Sequence, residues 1–284
     1  MIPPPVTLPH RLPAAVSVIA RRWFQLVLGI ALALTLAFLV LPVVAIFTHT
    51  APARLLDSLD DPAAKQALRL SLETTLIAVA VIVAVGTPAA YMLATRSFPG
   101  RSVVITLVEL PLVLPPAVAG IALLAALGPN GILGGALRSV HVELVLQTAG
   151  VVVALTFVSA PFYLRQAQAS FEAVDASLIA AARTLGSGEA ATLARVAVPV
   201  ALPGLSAGLA LAWGRALGEF GATLMFAGSF RGITQTVPLA IYDQFATDFP
   251  AALALSAILV AVSAALLMAV KLVPGRATAR GAAS

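Results

Sequence analysis

The sequence has 284 residues, of which 60% are hydrophobic and 10% charged, with a mean hydropathy of +1.02. A soluble domain carries about 45–50% apolar and about 25% charged residues, so this composition excludes a protein built around a large soluble core. The formal net charge is +5, but the basic residues lie at the ends of apolar runs and form no stripe, which argues against a nucleic-acid partner.

Six apolar runs are long enough to cross a membrane. A helix needs about 20 apolar residues to cross a bilayer core of ~30 Å. Helices are expected because lipid cannot form hydrogen bonds with backbone N–H and C=O groups, which must therefore pair within the protein. The predicted fold is therefore an all-α membrane protein with about six transmembrane helices. The predicted spans cover residues 24–47, 70–95, 103–127, 144–166, 202–226 and 249–272.

The first apolar run is longer than the ~7–15 residues of a signal peptide, so it is predicted to be retained. Lys and Arg accumulate on the cytoplasmic side of membrane proteins, and their placement predicts that both termini are cytoplasmic. The chain is thus expected to be a multi-pass protein of the inner, or plasma, membrane. Residues 1–22 are predicted to be a disordered cytoplasmic tail, 23–272 the transmembrane domain and 273–284 a second cytoplasmic tail.

The third predicted span contains a carboxylate and several prolines, among them Glu109, Pro115 and Pro116. Proline kinks or breaks a helix, and broken helices often border transport pathways. An ionisable residue at membrane depth is a functional candidate by default. Glu109 and Pro115 are therefore predicted to border a translocation pathway, and a kink that serves only helix packing is the alternative.

Residues 171–199 form a loop that is too polar to span a membrane and too apolar for an ordinary linker. Apolar residues at spacings of three and four predict an amphipathic helix over 171–186, which Gly186 ends. The loop 171–199 contains only two basic residues, Arg183 and Arg195, which is few for attraction to anionic lipid. A protein partner is therefore favoured over membrane lipid. The predicted apolar face consists of Phe171, Val174, Leu178, Ala181, Ala182 and Leu185.

The fifth predicted span carries two charges, Arg215 and Glu219, which lie four residues apart and are predicted to share one helical face. Both are costly in lipid and are expected to face the bundle interior or a water-filled path. Thr223 adds a hydroxyl one helical turn further on. Two alternatives stay open: these residues border the translocation pathway, or the two charges form an ion pair that only fixes packing.

The loop at 171–199 resembles the cytoplasmic coupling loop of ABC importer permeases. The family motif reads Glu-Ala-Ala, three residues, Gly, nine residues, Ile, one residue and Leu-Pro. Ala180 stands where the family has Glu, and Val196 and Val198 replace its Ile and Leu. The resemblance implies that this loop contacts a cytoplasmic ABC ATPase subunit and transmits ATP-driven movement. The residues it assigns to this coupling are Ala180, Ala181, Ala182, Arg183, Gly186, Val196 and Pro199.

Residues 215–223 and 234–242 are similar to the oxyanion branch of these permeases, and most similar to molybdate permeases. The resemblance implies a type I ABC importer permease bundle, a homodimer, and an extracytoplasmic protein that delivers molybdate or tungstate. A sulfate-type permease is one alternative. A secondary transporter without an ATPase and a membrane-embedded enzyme or assembly factor are two others.

Several chemical groups are missing from the sequence. There is no Gly-x-x-x-x-Gly-Lys-Ser/Thr motif, so another subunit must bind the nucleotide. Cysteine is absent, and the three histidines, His10, His49 and His141, have no acidic neighbours at metal-ligand spacing. We therefore predict a transport subunit without catalytic residues, metal or cofactor.

Overall fold

The computed structural model describes the backbone of residues 14–50 and 52–281, and side chains between residues 22 and 270 except at 51, 52, 54, 56 and 59. Every regular element in these residues is helical. The elements are α1 (Ala14–His49), α2 (Pro52–Asp60), α3 (Pro62–Thr95), α4 (Arg101–Val113), α5 (Pro116–Leu127), α6 (Gly134–Ser139), α7 (Thr148–Glu172), α8 (Ala176–Thr184), α9 (Glu189–Thr192), a π-helical turn (Leu193–Ala197), α10 (Val198–Leu217), α11 (Gly221–Ala227), α12 (Val237–Phe245) and α13 (Phe249–Gly281).

The long apolar helices confirm the predicted all-α membrane fold. In the part of the chain that the structure describes, five helices are long and apolar enough to cross a membrane, and the pair α4–α5 is a sixth if it counts as one span. The helix α1 forms a unit by itself, and residues 50–284 form a second unit. The candidate site lies in the second unit.

The predicted span 103–127 is broken at its prolines, as expected, since α4 and α5 are bent by 119° relative to each other. Leu114 and Pro115 both have extended backbones, with ψ of 130° and 137°. A proline disfavours the α conformation in the residue before it, and here Pro115 acts on Leu114 while Pro116 acts on Pro115. Two consecutive prolines therefore break the helix, whereas Pro111 is accommodated within α4.

The predicted span 202–226 is too long, because α10 ends at Leu217 and α11 begins at Gly221. Glycine has a low helix propensity, and Gly218 forms the cap of α10. A local contact stabilises the break, since the Ala222 N–H donates to Glu219 Oε1 over 2.7 Å. The Glu219 carboxylate thus caps the N-terminus of α11, and the residue does not extend α10.

Parts of both segments predicted to be tails are helical. Residues 1–13 lie outside the described residues, but 14–22 belong to α1, since no proline or glycine follows Pro13 in this segment. At the other terminus α13 continues through Pro274 and Gly275 to Gly281, and residues 282–284 lie outside the description.

Helix α7 is the centre of the second unit and packs against α3, α4, α10 and α11. Small residues allow α10 to approach it closely: a Cβ added at Gly208 would lie 3.0 Å from the Gln166 Cβ. At the α7 C-terminus the rings of Tyr91 and Phe171 meet edge to face, with centroids 5.4 Å apart. Helix α8 begins four residues after the end of α7, so we call the end of the unit that contains Tyr91, Phe171 and α8 the α8 end.

Candidate translocation pathway and coupling surface

Arg215 and Glu219 meet at the break between α10 and α11. Arg215 Nη2 lies 2.6 Å from Glu219 Oε2, and the Arg215 side chain is 27% exposed while the Glu219 side chain is completely buried. One carboxylate oxygen, Oε2, forms the ion pair with the guanidinium without meeting hydrogen-bond geometry, and the other accepts the Ala222 N–H. The negative charge of Glu219 is therefore balanced locally.

The prediction that these two residues share one face of one helix is wrong, because the helix ends between them. They meet because the turn at Gly218 keeps Glu219 beside the last turn of α10. The Glu219 N–H donates to Ala216 O over 3.2 Å, an i to i−3 bond that tightens this turn.

Thr223 lies in the first turn of α11 and is completely buried. Its hydroxyl has no hydrogen-bond partner among the described residues, and the same is true of Ser159 on α7. Leaving a buried hydroxyl without a hydrogen bond costs about 1–3 kcal/mol of stability. A water molecule or polar solute that binds beside each hydroxyl would supply the missing hydrogen bond. Ser159 was missed in the sequence analysis because a single serine in an apolar run carries no signal.

Pro115 caps the N-terminus of α5, and the structure brings this region next to the start of α11. A Cβ added at Gly221 would lie 2.8 Å from the Pro116 Cβ, and one added at Gly120 would lie 2.6 Å from Ala222 O. Two short helices thus begin side by side within the membrane-spanning region. Paired helix breaks of this kind are found at the substrate sites of transporters.

Glu109 on α4 pairs with Arg165 on α7, with 2.8 Å between Oε1 and Nε. Glu109 lies eight residues beyond Arg101, which corresponds to about 12 Å along the helix from the α8 end. The two side chains are 36% and 49% exposed. A charged pair at this depth is costly against lipid, so it is expected to face water or protein.

Arg165 was missed as a partner of Glu109 because the predicted fourth span ended at residue 166. Helix α7 instead continues to Glu172, which places Arg165 about 10 Å inside the helix end. The structure therefore divides the predicted pathway residues into two groups. Glu109 lies within α4, where it pairs with Arg165. The other group lies at the helix breaks and consists of Pro115, Arg215, Glu219 and Thr223.

Helix α8 is the core of the predicted coupling loop and has a defined cap at each end. The Ser177 N–H donates to Asp175 Oδ1 over 2.8 Å, and this bond lowers the pKa of Asp175 below its usual value. At the other end Gly186 has a φ of +81°, its N–H donates to Arg183 O, and the Ser187 N–H donates to Ala182 O, both over 3.0 Å. This is a Schellman motif, so Gly186 ends the helix as predicted.

The predicted helix over 171–186 is too long, and its single apolar face is divided. Phe171 and Val174 are buried in a core cluster, Phe171 within α7 and Val174 in the turn that follows it. Leu178 and Leu185 point away from this core and are 45% and 88% exposed. Ile179, which was not assigned to the face, is the α8 side chain that packs against the cluster.

The remaining predicted coupling residues lie on or beside α8. Ala180, Ala181 and Arg183 are exposed and Ala182 is half-buried. Val196 is half-buried within the π-helical turn, and Pro199 is exposed near the start of α10. Exposed apolar and small residues thus occur on α8, next to the π-helical turn that packs against it, and such residues suit contact with another protein.

At the opposite end of the unit an open cleft of about 590 Å³ lies between α3, the start of α7 and the loop after α11. Arg69 and Glu73 line it and pair over 2.6 Å, and Arg231 and Gln66 complete its polar wall. Among the side chains that the structure describes, no group of three His, Asp or Glu residues is placed to hold a metal ion.

Residues 83–277 match the family described as the binding-protein-dependent transport system inner membrane component. The chain belongs to this family. It is 41% identical over 237 residues to the molybdenum transport system permease protein ModB of Mycobacterium bovis, covering 83% of this chain and 89% of that protein. It is 32% identical over 257 residues to the sulfate transport system permease protein CysT of Salmonella typhimurium, covering 89% and 93%.

Among solved structures, this family member resembles a bacterial ABC transporter involved in the import of alginate, with a TM-score of 0.72 and 16% identity over 93% of this chain and 99% of that one. This likeness shows the fold of an ABC importer permease. The family and the apolar helices confirm the predicted multi-pass membrane protein. The orientation of the termini stays a prediction.

Proposed function

We propose that this chain is the permease subunit of an ATP-driven importer for molybdate. The molybdenum permease of Mycobacterium bovis is 41% identical, against 32% for the sulfate permease of Salmonella typhimurium. The higher identity favours molybdate over sulfate, which is the second candidate. Tungstate is the closest chemical analogue of molybdate and belongs to the same proposal.

The observation that supports a pathway is the polar break between α10 and α11. A tetrahedral dianion needs N–H or O–H donors, or positive charge, along its route. Arg215 remains partly exposed although Glu219 pairs with it, and Thr223 holds a hydroxyl without a partner in the described part of the chain. These groups, with Pro115 at the adjacent break, are the proposed lining.

The proposed mechanism is alternating access driven from α8. A separate cytoplasmic ATPase subunit binds the surface formed by Ala180–Ala182, Arg183, Gly186, Val196 and Pro199. When ATP closes the ATPase dimer, α8 moves with it and the spans reorient to face outward. Such a switch requires that ATP and the anion have different affinities for the two states.

The proposed topology places both termini and α8 in the cytoplasm. The opposite cleft with Arg69 and Arg231 then faces outward, where an extracytoplasmic binding protein delivers the anion. Two copies form a homodimer surrounded by membrane lipid. The exposed Glu109–Arg165 pair supports this arrangement, since a charged pair that cannot favourably face lipid is accommodated at the subunit interface or along the pathway.

The test is uptake of labelled molybdate by proteoliposomes that contain the permease, its ATPase subunit and the binding protein. We expect uptake that requires ATP and is inhibited by tungstate more strongly than by sulfate. Stronger inhibition by sulfate would favour the sulfate alternative. Uptake that persists without the ATPase would overturn the proposal in favour of a secondary transporter.

The variant Arg215→Ala separates the two alternatives for the ion pair. A pathway role predicts that uptake per assembled complex falls, in addition to any loss of assembled complex that the unpaired, buried Glu219 causes. A fall in assembly alone, with normal uptake per assembled complex, would show that the pair only fixes packing.

A further inference from the structure

Glu189 connects three helical elements at the α8 end. It is the first residue of α9, and its Oε1 pairs with Arg96, the residue that caps α3. The same oxygen lies 3.6 Å from Nη2 of Arg183 in the last turn of α8. One carboxylate therefore joins the end of α3 to the end of α8.

Few other contacts hold α8 to the second unit. None of the described residues of α8 is buried. Its contact with the core cluster is made by the side chain of Ile179, which is partly buried. Its C-terminus is connected to α9 by the short turn that contains Gly186. A displacement of α8 can thus pass along the chain through α9 and the π-helical turn into α10, and Glu189 adds a second connection to α3.

Both connections lead to the same part of the pathway. Helix α10 carries Trp213 and Arg215 near its far end, and the Trp213 Nε1–H donates to Thr75 Oγ1 on α3 over 3.2 Å. If α10 moved without α3, this partly buried contact would be strained. A shared displacement of the two helices would preserve it while changing the position of Arg215.

We propose that Glu189 is a positioning residue that makes α3 move together with α8. The inference rests on the proposed docking of an ATPase at α8 and extends it to a residue outside the predicted coupling set. It acts through Arg96 and Arg183 and does not contact the substrate.

The variant Glu189→Gln removes the charge and keeps the size of the side chain. Because exposed ion pairs are individually weak, we expect a partial defect, with molybdate uptake per ATP hydrolysed falling roughly twofold to fivefold. ATP hydrolysis should continue, since the ATPase-facing surface of α8 remains. The measured quantity is the ratio of uptake to hydrolysis in the full reconstituted complex.

Glu172→Gln is the matched control. Glu172 also lies at the α8 end, where Oε1 accepts from Arg101 Nη2 over 2.8 Å and from Gln168 Nε2 over 2.9 Å. This pair joins α7 to α4 and does not involve α8. We expect Glu172→Gln to leave the uptake-to-hydrolysis ratio unchanged even if it lowers the melting temperature.

Charge reversal tests the connection itself. Glu189→Arg places three arginines together and should lower the ratio further than Glu189→Gln. Adding Arg96→Glu restores the pair with α3 and leaves Arg183, which belongs to the proposed ATPase surface, unchanged. A ratio that recovers partly in this double variant supports the proposal, and a ratio that stays as low as in Glu189→Arg contradicts it.

A distance measurement tests the inference independently of transport. The chain has no cysteine, so Ala176→Cys on α8 and Ser97→Cys after α3 can carry the only two spin labels. We expect their distance distribution to broaden in Glu189→Gln but not in Glu172→Gln. Equal distributions and equal ratios in both variants would overturn the role of Glu189, whereas a wild-type complex that shows no ATP-dependent uptake would overturn the proposed function instead.

Discussion

Arg215 and Glu219 form an ion pair with 2.6 Å between Nη2 and Oε2 across the point where α10 ends. The same carboxylate accepts the Ala222 N–H and thereby starts α11. Glu219 therefore has two structural roles, and its removal is expected to affect both the arginine and the second helix.

Glu219→Ala should lower the stability of the purified protein strongly. Breaking a largely buried pair by removing one partner costs about 3–5 kcal/mol, and the lost cap adds to this. Glu219→Gln should be milder, because its amide oxygen can still accept the Ala222 N–H. Thermal unfolding in detergent measures both, and equal melting temperatures of the two variants would argue against the capping role.

The Glu109–Arg165 pair predicts a result for charge reversal. Glu109→Arg leaves two arginines facing each other at membrane depth and should reduce the amount of folded protein in the membrane. The double variant with Arg165→Glu restores opposite charges and should recover most of that amount. Membrane yield measures both, and failure of the double variant to recover would show that the orientation of the pair matters more than its presence.

Gly120 permits the close contact of α5 with α11. Gly120→Ala would place a Cβ 2.6 Å from Ala222 O and 2.7 Å from the Met225 Cβ. Overpacking of this kind costs about 1–3 kcal/mol, so the melting temperature should fall. Gly135→Ala is the control, because no atom lies within 4 Å of its added Cβ, and it should leave the melting temperature unchanged or slightly raised.

Gly186 is required for its backbone conformation, since no atom lies within 4 Å of an added Cβ. Its φ of +81° costs an ordinary residue about 1–2 kcal/mol, and Asn tolerates this region best. Gly186→Leu and Gly186→Asp should lower uptake per ATP hydrolysed, and Gly186→Asn should lower it less. Gly188→Ala, at a φ of −67°, should behave as the wild type; normal coupling in Gly186→Leu would count against the coupling assignment.

Asp175 predicts how α8 responds to pH. Its pKa lies below the usual 3.8 because the Ser177 N–H donates to the carboxylate. The cap therefore stabilises α8 fully above the usual pKa and is lost as the pH falls through the lowered value. The mobility of a spin label at Ala180→Cys should stay constant between about pH 5 and pH 8 and rise only in acid, and the rise should be absent in Asp175→Asn.

Hydropathy predicts the membrane fold of this chain well, because ~20 apolar residues are required for each span whatever their packing. The locations of the spans and of α8 follow from such runs and from residue spacing. The double proline at Pro115–Pro116 also carries a local signal, since each proline restricts the residue before it.

Contacts between distant residues set the remaining features, and single-sequence patterns do not report them. The break after α10 depends on the hydrogen bond in which the Glu219 carboxylate accepts the Ala222 N–H, because this bond stabilises the start of α11. The depth of Arg165 depends on how far α7 extends beyond its apolar run. The pairing of Glu189 with Arg96 joins residues 93 positions apart, which no local spacing predicts.

We propose that α8 lies in the cytoplasm and is held by an ATPase subunit. Leu185→Cys gives the chain its only cysteine at a side chain that is 88% exposed. The measurement is its labelling by a membrane-impermeant maleimide in inside-out vesicles, with and without the ATPase subunit. We predict rapid labelling of the permease alone and strong protection when the ATPase is bound. Labelling that the ATPase leaves unchanged, or that occurs only in right-side-out vesicles, would show that α8 is not the cytoplasmic docking helix.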